Sequence, residues 1–266
     1  MKASALQPDT AERSDTSTRQ FADKRVFVTG AASGIGRRIA ERFCDEGATV
    51  LGLDRQAGDN TLPFRILTAD LADARQVEKI SMGLMADRWY PDILVNAAGV
   101  LRTGAAEDLS LEDWQACMNV NVSGPFYLLR QWIPVFKERQ SGAIVNIASN
   151  AAHVPRTGMT AYCASKAAMA SLSHCIGLEL APFGIRCNLV SPGSTDTPML
   201  REMAGGASGY RQLVAGQPDR FKLGIPLQKV ATTDDIVETV LFLASDKAGH
   251  ITLQDIVVDG GATLGA

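Results

Sequence analysis

From residue 25 onward the chain alternates between two patterns. Seven short, almost continuously apolar runs rich in β-branched residues (RVFVTG, TVLGLD, RILTAD, DILVNAAG, GAIVNIAS, RCNLVSPG and DIVVDGG) are separated by longer stretches with helical periodicity, such as IGRRIAERFCDEG and ARQVEKISMGLMADR. A strand with no polar alternate position is covered on both faces, and interleaved amphipathic helices supply the cover. The pattern therefore predicts an α/β fold, a doubly wound parallel sheet of about seven strands with helices on both faces. Further helices are expected around residues 111 to 139, from about Tyr162 to Leu180, and over about 234 to 244.

Two stretches break the rhythm. Residues 1 to 20 are polar with a single leucine and read as a disordered leader, leaving one domain from residue 21 to 266. Residues 194 to 224 are rich in Gly, Ser, Thr and Met and only weakly periodic. They directly follow a strand's carboxyl end, where such an insertion serves as a substrate lid.

Composition narrows the partners. A net charge of −3 without any basic run disfavours nucleic acid. No apolar stretch approaches the roughly 20 residues of a membrane span, and the first residues lack the apolar core of a secretion signal, so a cytoplasmic protein is expected. Five widely spread cysteines without a C-x-x-C pair suit reduced thiols, and three unclustered histidines argue against a metal site.

Candidate chemistry sits at the ends of the apolar runs. Gly30, Gly34 and Gly36, with Ser33 and Ile35 between them, lie where the first strand meets the first helix, a turn that lets backbone approach a pyrophosphate at a helix N-terminus. Asp54 closes the second strand, where a carboxylate accepts bonds from ribose hydroxyls and repels a 2′-phosphate, which favours NAD over NADP. Arg55 beside it is the counter-argument, since it could pair with that phosphate. Tyr162 and Lys166, four residues apart on a helix, share one face about a turn apart, which places an ammonium near a phenol oxygen.

Taken together, TGAASGIG, NAAG at residues 96 to 99, Ser149 thirteen residues before Tyr162, and Lys166 resemble the short-chain dehydrogenase/reductase family, and the resemblance covers nearly everything from Phe21 onward. It implies a Rossmann-type fold with Tyr162 as catalytic acid/base, Lys166 as its activator and ribose ligand, Ser149 as the hydroxyl that orients the substrate oxygen, and Asn121 in NVNVSG as a relay residue, with Asn119 its register-shifted competitor. It also implies that Asp70 and Leu71 lie beside the adenine, that Asn96, Ala97 and Gly99 support the cofactor, and that Pro192, Gly193, Thr195 and Thr197 contact the nicotinamide. Lys166 and a positive nicotinamide ring are expected to lower the phenol's pKa from its ordinary value near 10. Family members are commonly tetramers, and the helices around 111 to 139 and 160 to 180 would form the interface.

Departures from the family pattern speak to the substrate. Many members carry ITGQ before the last strand, whereas this chain has ITLQ with Leu253 in place of the glycine. That segment, with NAAGVLRTGA, AAHVPRTGMTAY, SPGSTDTPML and FKLGIPL, resembles a branch of the family that oxidises a small carboxylated cyclohexadiene diol in making catechol siderophores. A guanidinium suits a carboxylate, and Arg102 and Arg156 both lie close in sequence to active-site elements. Met199 and Met203 in the lid could cover an apolar ring face. Two other readings remain open here: a general alcohol dehydrogenase or 3-oxoacyl reductase, and a non-catalytic nucleotide sensor on the same fold.

Overall fold

The computed structural model describes residues 19–58, 61–205 and 207–265. The leader expected over residues 1 to 20 lies outside these, apart from its last two residues. All seven apolar runs form strands: β1 (Arg25–Thr29), β2 (Thr49–Asp54), β3 (Arg65–Thr68), β4 (Ile93–Asn96), β5 (Gly142–Ile147), β6 (Ile185–Pro192) and β7 (Asp255–Val258). They build one parallel sheet in the order β3-β2-β1-β4-β5-β6-β7.

The period-2 geometry of a strand divides the core into two layers. Val26 and Val28 of β1, Val95 of β4 and Val145 of β5 point to one face, where they meet Ile39 and Phe43 of α1 (Gly34–Asp45) and Val237 and Val240 of α8 (Thr233–Ala244). Phe27, Leu94 and Ile144 alternate to the other face. There they are covered by α2 (Ala74–Ala86), by Leu128, Trp132 and Phe136 of α4 (Gly124–Arg139), and by Ile176 and Leu180 of α5 (Thr160–Leu180). Side-chain caps fix the starts of two covering helices. Asp73 accepts the Arg75 and Gln76 amides at α2, and Thr232 and Asp235 cap one another at α8.

The order of strands reverses between β1 and β4, since the chain runs outward from β1 to β3 and then returns to start β4 on the opposite side. In open α/β sheets that switch point opens a crevice at the carboxyl ends of the strands. The segment from 111 to 139 is a helix, α3 (Leu111–Met118), a π-helical turn (Asn119–Ser123) and then α4. The stretch expected to be irregular is partly helical, with α6 (Pro198–Ala204) and α7 (Ala207–Ala215) inside it. Its base is tied to itself, because the Asp196 amide donates to the Ala231 carbonyl at 2.8 Å and the Ala231 amide to Ser194 at 3.0 Å. The backbone on either side of the excursion thus meets at Ala231.

Candidate active site

At the switch point the first turn comes so close to β4 that only glycine fits. A Cβ on Gly30, whose φ is +69°, would lie 2.7 Å from the Ala98 Cα, and one on Gly36 would lie 2.2 Å from the Gly30 carbonyl oxygen. Asp54 is held against this turn, one carboxylate oxygen accepting the Ala32 amide at 3.0 Å and the other the Gln56 amide at 3.0 Å. Asp70 is fixed similarly by the Ala72 amide at 2.9 Å. A backbone cradle with a carboxylate at the end of β2 fits the phosphates and ribose of a dinucleotide.

One cavity of about 540 Å³ runs from this cradle across the sheet's carboxyl edge. Its nucleotide end is lined by Gly30, Ser33, Gly34, Ile35, Gly36 and Asp54, and further along by Asp70, Leu71, Ala97 and Gly99. Ser149, Tyr162 and Lys166 line the same cavity, as do Pro192, Gly193, Thr195 and Thr197, the last of these beside Gly34 of the cradle. Arg102, Arg156, Met199 and Met203 line it too.

Two of the residues singled out in the sequence do not line the cavity. Asn96 is buried, and its amide donates to the Asn146 side chain at 2.8 Å, so it braces β4 against β5. Asn121, in the π-helical turn, is buried with its amide group fully engaged: Oδ1 accepts the Val100 amide at 2.8 Å, while Nδ2 donates to the Val100 carbonyl and to Ser165 Oγ, both at 2.9 Å. The side chain therefore clamps the loop after β4 to α5. The neighbouring Asn119 does line the cavity.

Ser149, Tyr162 and Lys166 are positioned by secondary structure. Ser149, two residues past β5, caps a short 3₁₀ turn, accepting the Ala151 amide at 3.1 Å. Lys166 is buried; its ammonium donates to the Ile147 carbonyl at 2.8 Å and lies 5.8 Å from the centroid of the Tyr162 ring. Burial brings the Lys166 ammonium down to about 8. For Tyr162 the sequence expectation reverses in the protein alone. Burial pushes the phenol up to about 12, and the Ser149 hydroxyl pulls only partly the other way.

The two arginines separate clearly. Arg102 is ion-paired with Asp113 of α3, Nε to Oδ1 at 2.8 Å, and also donates to the Leu101 carbonyl. Arg156 is half-buried, and among the described residues it has no ion pair. Lys222 also lines the cavity, within reach of the charge of Arg156, and was not singled out from the sequence. It arrives there through a tight hairpin, in which Gln217 and Lys222 exchange backbone bonds at 2.8 and 3.0 Å. A lone lysine in an aperiodic stretch carries no sequence signal of this kind.

Comparison with known proteins agrees with the geometry. A family profile described as enoyl-(acyl carrier protein) reductase matches residues 30–263. A 2,3-dihydro-2,3-dihydroxybenzoate dehydrogenase of Escherichia coli (strain K12) is 52% identical over 92% of this chain and 99% of its own length. The enzyme of the same name from Bacillus subtilis (strain 168) is 43% identical over 91% and 97%, and a vibriobactin-specific one from Vibrio cholerae is 39% identical over 91% and 97%. Among solved structures, a 4-hydroxyisoleucine dehydrogenase complexed with NADH superposes with a TM-score of 0.79 at 30% identity, covering 92% of this chain and 100% of that one. With a seven-stranded parallel sheet, a glycine cradle at its switch point and a Ser-Tyr-Lys trio in one cavity, the chain belongs to the short-chain dehydrogenase/reductase family.

Proposed function

We propose that the protein oxidises 2,3-dihydro-2,3-dihydroxybenzoate to 2,3-dihydroxybenzoate with NAD, in the synthesis of catechol siderophores. The observation that carries this reading is the single cavity that joins the glycine cradle and Asp54 to Tyr162 and to Arg156, which has no ion pair among the described residues. The names of three relatives supply the substrate, and the vibriobactin-specific one supports the siderophore role.

The glycine turn, Asp54, Asp70 and Leu71 would hold the adenosine half of the cofactor, and Pro192, Gly193, Thr195 and Thr197 the nicotinamide half. When bound, NAD supplies the acceptor for the hydride that leaves the carbon bearing the 3-hydroxyl. Tyr162 takes the proton of that hydroxyl, and Ser149, its oxygen fixed just past β5, orients the substrate oxygen. Asn121 acts on this machinery indirectly, through Ser165, whose hydroxyl donates to the Tyr162 carbonyl at 2.8 Å. The dienone product tautomerises to the aromatic catechol, which drives the oxidation forward. Asp54, already turned toward the cradle, supports NAD over NADP.

The reading extends to a cytoplasmic homotetramer. Phe126 of α4 and Leu178 of α5 are 44% and 63% exposed, which supports these helices as an interface. Light scattering on the purified protein tests the assembly. The activity is tested by following reduced nicotinamide with the diol acid as substrate and NAD or NADP as acceptor. Turnover is expected with NAD and at least about tenfold less with NADP. No turnover with either acceptor would overturn the assignment.

A further inference from the structure

Besides Arg55 and Lys166, three cations line the cavity, and they differ in whether they are already neutralised. Arg102 is partnered by Asp113 at 2.8 Å. Arg156 and Lys222 have no ion pair among the described residues, although neither is exposed. The charge of Asp259 reaches Arg156, but not at ion-pair distance, and that carboxylate is occupied by Asn150, Thr263 and the Gly261 amide. Burial lowers both cations from their ordinary values, and the charge of Arg156 lowers Lys222 further. Two like charges drawn toward one apolar-walled space, near Met199 and Leu223, are unfavourable until an anion sits between them.

We propose that Arg156 and Lys222 together bind the ring carboxylate of the substrate, and that Arg102 does not. The two come from different parts of the chain. Arg156 sits on the loop leading into α5, six residues before Tyr162, and is held there by the bond from the Met159 amide to its carbonyl at 3.2 Å. Lys222 comes from the lid. A carboxylate bridging them therefore fixes the ring relative to the catalytic phenol and draws the lid toward the cavity by the same contact. A diol without the carboxylate leaves the two cations repelling each other, so it is disfavoured by more than one missing bond.

This assignment rests on the proposed substrate, and the test separates the two. The preference of the enzyme, kcat/KM for the carboxylated diol divided by that for the same diol lacking the carboxylate, is measured for the wild type and for Arg156→Gln, Lys222→Gln and Arg102→Gln, each first checked for an unchanged melting temperature. The preference is expected to fall about 10- to 100-fold in the first two variants, mostly through KM, and to persist in Arg102→Gln. Binding of benzoate against phenol, read by calorimetry, needs no turnover. The wild type is expected to favour benzoate, and Arg156→Gln and Lys222→Gln to lose that bias. A wild type that binds benzoate in this way but oxidises neither diol would sink the proposed reaction and leave the anion site standing. Loss of preference in Arg102→Gln, or its persistence in both other variants, would overturn the pair, as would a wild type indifferent between benzoate and phenol.

Discussion

Lysine taken out of water gives up hydration of its charge, and at Lys166 this cost has a definite pH signature. The ammonium, brought down to about 8 by burial, compares with an ordinary value near 10.4. Between those two values the unfolded chain holds more protons than the folded one, so stability rises with pH through that window, and the full penalty applies below it. Lys166→Met keeps the length and removes the charge. The variant is expected to melt at or above the wild-type temperature at pH 7, with its advantage shrinking as pH rises from about 8 to about 10.5. Its activity should fall by about 100-fold or more. Melting curves across that range together with turnover at neutral pH check both halves, and a variant that melts several degrees lower at pH 7 would show that the bond to Ile147 outweighs the charge penalty. Tyr162→Phe is expected to cost about 100- to 10,000-fold in turnover with little change in melting temperature.

At the scale of elements, the link between α5 and β7 carries a residue at odds with its backbone. Leu253 sits at φ +63°, in the left-handed region that costs a β-carbon-bearing residue about 1 kcal/mol. Its side chain packs over α5, lying where a Cβ on Gly177 would be 2.6 Å from Cδ2. Leu253→Ala keeps the strain and loses the packing, for about 2 kcal/mol, whereas Leu253→Gly loses the packing and relieves the strain, for about 1 kcal/mol. Denaturant unfolding should therefore rank glycine above alanine at this position, and the reverse order would show the strain to be negligible. The same scale explains what the sequence could reveal. The central strands were readable because burial on both faces leaves few polar positions, as in the uniformly buried Ile93–Asn96. Helices α6 and α7 were not, because Gly205, Gly209 and neighbouring small residues dilute the 3.6-residue period and short helices supply few turns to detect. Tyr162, Lys166 and Ser149 were readable as a spaced motif. That Asn121 turns inward to clamp Val100, or that Lys222 lines the cavity within reach of the charge of Arg156, depends on a π-helical turn and a hairpin that residue spacing does not encode.

Across the whole molecule, the C-terminal segment joins parts that are distant in sequence, and Asp259 is where they meet. This nearly buried carboxylate accepts bonds from Asn150 at 3.1 Å, Thr263 at 2.7 Å and the Gly261 amide at 2.9 Å, and it packs against Gly193 at the end of β6. The glycines that follow lie under the lid's return, Gly260 against Ile225 and Gly261 against Pro226. Asp259 therefore anchors the loop beside Ser149, the end of a central strand and the segment under Ile225 and Pro226 together. Asp259→Ala would leave the Asn150 amide and the Thr263 hydroxyl without their acceptor, which costs about 2–3 kcal/mol and lowers the melting temperature by roughly 5–10 °C. Burial alone would raise this carboxyl's pKa, but the bonds from Thr263, Asn150 and Gly261 outweigh it and hold the group below its ordinary range. A carboxyl so depressed contributes stability above the unfolded value near 3.9, and that contribution is lost as pH falls through the lower folded value. The gap between wild type and Asp259→Ala should accordingly be full at pH 7 and narrow in acid. If the segment also seats the lid, KM for the diol acid will rise in the variant more than KM for the cofactor. A fall in melting temperature with both KM values unchanged would confine Asp259 to holding the fold together.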